Sequence, residues 1–143
     1  MIAQTLLAFC GALAFAVLMG VPRPHLLPGA ACGGLAWAVY LVVTSAAHLS
    51  VPVGAIVGAF VAALCAELAA RWRKTPATLF LVPGIIPLVP GLWIYNAMFR
   101  LVSGHTVAAL NDAATALLIG TGITGGIAAV AILRRALRSL GLS

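Results

Sequence analysis

Three prolines at helical spacing inside an apolar run constrain this chain more than any other feature. Residues 81–100 read LVPGIIPLVPGLWIYNAMFR, with Pro83, Pro87 and Pro90 in register and Gly84 and Gly91 beside two of them. Each interior proline removes one amide donor and crowds the carbonyl four residues back, at a cost of roughly 3 kcal/mol in a helix. The carbonyls of Leu79, Pro83 and Ile86 are therefore expected to lack their usual partners. In hydrocarbon such groups cost several kcal/mol each, so broken backbone persists there only when buried in protein or lining a wet cavity. The segment predicts a discontinuous helix, an arrangement that builds binding sites in transporters. A kinked helix that only packs is the competing reading, because proline is commoner in membrane helices than in soluble ones.

The surrounding sequence is membrane-like. Of 143 residues 64% are hydrophobic and 7% charged, whereas a soluble domain carries about 25% charged residues. Long runs of Ala, Leu, Val and Gly replace the roughly ten-residue alternating segments of a barrel, so the fold class is an all-α integral membrane protein. The net charge of +6 does not indicate nucleic acid. Arg23, Arg71, Arg73, Lys74, Arg134, Arg135 and Arg138 fall between apolar runs or in the tail, as in cytoplasmic membrane loops. Cys10, Cys32 and Cys65 lie inside apolar runs at no metal-ligand spacing and read as small buried residues. No metal or cofactor is expected. G-x-S-x-G, H-E-x-x-H and P-loop signatures are missing, which argues against an enzyme.

About five transmembrane helices are expected, over residues 2–20, 29–48, 52–70, 77–102 and 113–133, each near the 20 residues a crossing needs. The first lacks the positively charged start of a signal peptide. VPRPHLLP, residues 21–28, reads as a connection, RWRKTP as the most basic loop and SGHTVAALND as a polar link. The fourth span carries the PGxxPxxPG break. Gly54, Gly58, Ala62, Ala66 and Ala70 recur every fourth residue, and Gly122 and Gly126 form a second small-residue pair, so both spans should pack closely on other helices. An N-out, C-in topology places every basic residue except Arg100 on one side, as the positive-inside rule requires. Four crossings, with the proline segment re-entrant, would split the basic residues between both faces.

About 14 residues from Ala77, at 1.5 Å each, bring Gly91 roughly 20 Å into the bilayer. A half-helix restarting there turns free amides and a positive dipole end toward the protein centre, a site suited to a carboxylate. Tyr95, Asn96 and Arg100 follow, with Asn96 and Arg100 one turn apart on one face. Arg100 has a second reading as a side chain snorkelling to the outer headgroups, and Tyr95 as an interfacial aromatic. Among groups able to couple protons, Glu67 reads first as an i,i+4 partner of Arg71, Asp112, with Asn111 beside it, as a cap of the fifth span, and His48 and His105 as residues near the outer face. Thr121 and Thr124 are expected to bond the backbone.

PGIIPLVPGLWIYNAMFRLVSG, residues 83–104, resembles the proline-rich hallmark of the threonine/serine exporter family, in its small C-terminal membrane half. The spacing of the spans and the RWRK segment extend the likeness over nearly the whole chain. The resemblance implies a subunit of a secondary transporter of the bacterial inner membrane, exporting threonine or serine, driven by the proton gradient and working with a larger membrane partner. Related split pairs imply dicarboxylate export of the succinate type. Pro83, Gly84, Pro87, Pro90, Gly91 and Tyr95 are the positions the resemblance marks as a transport motif. A homo-oligomer and a non-transporting membrane scaffold remain open alternatives.

Overall fold

In lipid the backbone has no water to bond, and long apolar runs can satisfy it only as helix. The computed structural model describes residues 1–139, and the side chain of Arg138, counted above among the tail arginines, lies outside them. The described residues form α1 (Ile2–Leu18), α2 (Arg23–Leu41) with a π-helical turn Val42–Ala46, α3 (Val51–Arg73), α4 (Thr78–Ile85) with a 3-10 turn Ile86–Leu88, α5 (Gly91–Val102) and α6 (Thr106–Ser139).

Helices α2, with its π turn, α3 and α6 are longer than the expected spans, and three expected connections are largely helical. Helix α2 starts at Arg23 rather than near residue 29. Pro24 occupies its first turn, where the missing amide would have no helical partner in any case. RWRK is not a loop through Arg73, because α3 continues to that residue, and Lys74 closes it in the left-handed region at φ 52°. Arg71 and Arg73 sit in its last turn, the favourable end of the helix dipole for cations. SGHTVAALND is likewise helical from Thr106 onward.

Helix α3 is the hub. Its stripe Gly54, Gly58, Ala62, Ala66 and Ala70 is buried throughout. A Cβ on Gly54 would lie 2.6 Å from Thr44 Cγ2, and one on Gly58 3.0 Å from the Ala36 carbonyl, so the stripe is what lets α2 approach. Phe80 packs with Ala66 and Ala70, Gly84 lies against Ala62, and Leu88 against Ala55, Ala59 and Ala62. Helix α4 therefore runs antiparallel to α3. On the other side Gly122 meets Pro52 and Ile56, Gly126 meets Ile56 and Phe60, and Arg134 reaches Glu67. Both series ascend, so α3 and α6 are parallel.

Helices α2, with its π turn, α3 and α6 are each long and apolar enough to cross a membrane. Helices α4 and α5 count as a fourth crossing if the bent pair is one span. The expected first span is apolar, but α1 has 17 residues, below the roughly 20 a crossing uses. The chain is thus an all-helical, multi-pass membrane protein.

Candidate functional site

The proline segment folds as two helices whose axes differ by 43°, joined through Ile86–Leu88 and restarting at Gly91. Of the three carbonyls expected to be orphaned, that of Ile86 is not, because it accepts the Val89 amide at 3.2 Å. The other two are covered by α2. A Cβ on Gly29 would lie 3.7 Å from the Leu79 carbonyl oxygen, and one on Gly33 3.3 Å from that of Pro83. Glycine at both places lets the α2 backbone approach within range of weak Cα–H···O contacts. Pro83 is fully buried, and a Cβ on Gly84 would lie 3.1 Å from Cys32 Cβ. These two residues sit in helix packing, away from any open path.

Pro87 and Pro90 lie differently. They line a cavity of about 170 Å³ walled by Trp37, Tyr40, Val51, Leu88, Trp93 and Ile119. Trp37 and Tyr40 stack at 4.8 Å, and the Trp37 indole Nε1 is buried without a hydrogen-bond partner among the described residues. In the first turn of α5, the Gly91 amide bonds the Val89 carbonyl at 2.8 Å and that of Ile94 bonds Pro90 at 3.1 Å. The amides of Leu92 and Trp93, between them, are the free donors such a helix start presents. Pro87 and Trp37 also line a larger groove of about 310 Å³ against α1, whose only other polar side chain is Gln4. The smaller cavity is the better candidate, because it joins free donors to aromatic faces. Trp37, Tyr40 and Trp93 were not singled out in the sequence. Their signal was the placing of Trp37 and Tyr40, aromatics with polar tips, three residues apart inside an apolar run.

A second polar group lies between α5 and α6. Asp112 does not cap a helix: it stands inside α6, is 6% exposed, and its Oδ2 lies 3.2 Å from Arg100 Nε. The contact is close enough for charge attraction, yet its alignment falls short of a hydrogen bond, since Oδ2 has no such partner. Asn96, half-buried one turn before Arg100, shares that side. The structure therefore brings Arg100 and Asp112 together. Tyr95 is separate, 64% exposed and stacked on Phe99. Gly91 is exposed, with open space where a Cβ would stand.

Glu67 pairs with Arg134, which donates Nη1 to Glu67 Oε1 at 2.6 Å, and not with Arg71 as expected. Helix α6 brings a cation closer than the i+4 neighbour does. His48, in the left-handed region at φ 51°, and His105 are exposed. His25, overlooked in the sequence, has a buried Nδ1 without a partner and meets Phe80 edge-on at 5.6 Å. Thr121 and Thr124 bond the Leu118 and Gly120 carbonyls. Cys32 is buried and Cys65 partly so, but Cys10 is exposed, against expectation.

Residues 4–133 match the family model described as Threonine/Serine exporter, ThrE. Neither a curated protein nor a solved structure matches the chain.

Proposed function

Because this chain belongs to the threonine/serine exporter family, we propose that it is a subunit of a secondary exporter of threonine and serine, driven by the proton gradient and working with a larger membrane partner. The observation that carries this is the cavity at the break beside Pro87 and Pro90. Free amides and the positive end of α5 suit the substrate carboxylate, and the unpartnered Trp37 indole adds a donor. The faces of Trp37, Tyr40 and Trp93 suit the ammonium group through cation–π attraction. Its volume, about 170 Å³, lies below the roughly 300 Å³ at which drug-sized pockets begin, which favours a small solute.

Asn96, Arg100 and Asp112 then form the polar path outward from Gly91 and Tyr95, with Pro83 and Gly84 holding the break against α2. Asp112 is the proton-coupling candidate, since it is the buried acid, while Glu67 is tied to Arg134 and His48 is exposed. The parallel packing of α3 and α6 supports α4 and α5 acting as one broken crossing, because a re-entrant segment would return α6 antiparallel. With α1 as a further crossing, five spans set the N-terminus outside and the C-terminus inside the inner membrane, in agreement with the basic residues.

A second reading, an assembly subunit that does not transport, is favoured by α5 itself. None of its residues is buried, and Leu92, Tyr95, Met98, Phe99 and Val102 are exposed, a face for lipid, a partner or a second copy. Asn96→Ala separates the two: lost export with an intact complex supports a pathway residue, and a lost complex supports scaffolding. The cavity donors would also accept a dicarboxylate. Efflux of labelled threonine, serine and succinate is therefore measured from cells carrying this chain, its larger partner, or both. Threonine or serine export only with both is the expected result. Absence of export with both proteins verified in the membrane refutes the exporter reading, and succinate alone reassigns the substrate.

A further inference from the structure

At the end of α3 away from the break, the seam between α3 and α6 opens into two adjoining hollows that share Glu67, Arg71 and Arg134. The first, about 140 Å³, runs along the seam between Leu64 and Leu68 of α3 and Val130, Leu133 and Leu137 of α6. The second, about 330 Å³, opens past the end of α3 beside Lys74, Thr75 and Pro76. Arg135 borders the same cluster. Four cations thus surround a single acid, and Glu67 occupies only Nη1 of Arg134. Arg71, Lys74 and Arg135 are exposed, and none of them forms an ion pair among the described residues. The Thr75 hydroxyl oxygen is buried without a partner.

Trp72, one residue past Arg71, is 79% exposed, with the Arg73 guanidinium 5.2 Å from its ring centre. An exposed tryptophan among basic residues at the end of an apolar helix is the pattern of the headgroup level. The hollows therefore meet the bilayer where phosphate and acyl chain meet.

We propose that this seam binds one anionic phospholipid, its phosphate held by Arg71, Lys74 and Arg134 and one acyl chain lying between Leu64, Leu68, Val130 and Leu133. An apolar groove alone would accept any hydrocarbon, and a basic hollow alone any anion. Their shared wall joins the two into one amphipathic site, with the cations at the mouth and the leucines behind them. A zwitterionic lipid brings its own cation to this cluster, so the excess of positive charge selects a net negative headgroup. Glu67 is a positioning residue here, because it fixes the Arg134 guanidinium at the mouth. The inference depends on the chain being membrane-embedded and stands whether or not it exports threonine.

The test uses the full chain purified in detergent and titrated with phosphatidylglycerol or phosphatidylcholine, with bound lipid counted by native mass spectrometry. One phosphatidylglycerol per chain is expected, preferred over phosphatidylcholine by at least tenfold. Arg71→Gln with Lys74→Gln should weaken phosphatidylglycerol binding roughly 25-fold, about fivefold per cation removed. Arg23→Gln, a basic residue of α2 outside the hollows, should leave it unchanged, and Leu68→Asn should weaken both lipids. Glycerol phosphate at equal concentration should not compete. Equal retention of the two lipids, an equal loss from Arg23→Gln, no loss from Leu68→Asn, or displacement by glycerol phosphate would each overturn the assignment. The last would reduce the site to a simple anion hollow.

Discussion

Replacing Gly126 by alanine tests the α3–α6 seam on which the parallel arrangement rests. A Cβ there would lie 2.5 Å from the Ile56 carbonyl oxygen and 2.9 Å from the Phe60 amide nitrogen. Close carbon–oxygen contacts settle at roughly 3.3 Å or more, so the helices must part by about 0.8 Å. Both obstacles are backbone atoms of α3, which no rotamer change can move aside. Overpacking of this kind costs about 1–3 kcal/mol. Gly125, the preceding residue on the same helix, has nothing within 4 Å of its Cβ position. The gain in helix propensity on going from glycine to alanine, up to about 1 kcal/mol, is common to both substitutions and cancels in their difference. Thermal unfolding of the purified full chain, followed by helical circular dichroism, should place Gly126→Ala below Gly125→Ala by roughly 4 °C for each kcal/mol. Identical melting of the two variants would refute close α3–α6 packing at this point, and with it the support for a proline segment that crosses.

Three further outcomes are expected. Arg100→Leu should reduce the yield of folded protein more than Asp112→Leu, since Asp112 is buried and the Arg100 side chain is 46% exposed. Stranding a buried charge costs about 3–5 kcal/mol, so the double variant should recover much of the loss, and equal yields from all three would exclude a stabilising pair. Trp37→Phe keeps the ring but removes the indole donor. Export should fall several-fold with the complex intact, as judged by co-purification, and unchanged efflux would remove Trp37 from the substrate site. Cysteines placed at Ser50 and Ser103 should react with an impermeant maleimide added outside intact cells, whereas one at Lys74 should react only after lysis. Labelling of Ser50 and Ser103 from opposite sides would establish a re-entrant segment.

Much of the architecture was legible because it depends on local chemistry. Pro83, Pro87 and Pro90 marked the break, since a lost amide disrupts a helix wherever it lies. The stripe from Gly54 to Ala70 and the pair Gly122 and Gly126 marked contact faces, because only small residues let backbones approach in lipid. Helix ends were less legible. Pro24 looks like a breaker, yet proline is tolerated in the first turn of a helix, and α2 begins at Arg23 and continues through Pro28. The residues of SGHTVAALND looked like a loop because they are polar, and Asp112 among them is turned inward.

The sequence by itself determined that this chain is helical, membrane-embedded and interrupted within the segment from Pro83 to Gly91, because each of these follows from composition or from neighbours a few residues apart, and the resemblance of residues 83–104 pointed to the threonine/serine exporters. Only the tertiary structure decided which groups meet. Glu67 could be matched with Arg71 from spacing alone, but the parallel approach of α6 supplies Arg134 instead. The carbonyls of Leu79 and Pro83, freed by Pro83 and Pro87, gain their cover from Gly29 and Gly33, 50 positions earlier in the chain. Trp37, Tyr40 and Trp93 become one cavity wall only when α2 crosses the break. Close packing and charge pairing act over a few ångströms, whereas separation along the chain does not indicate which helices will come that close.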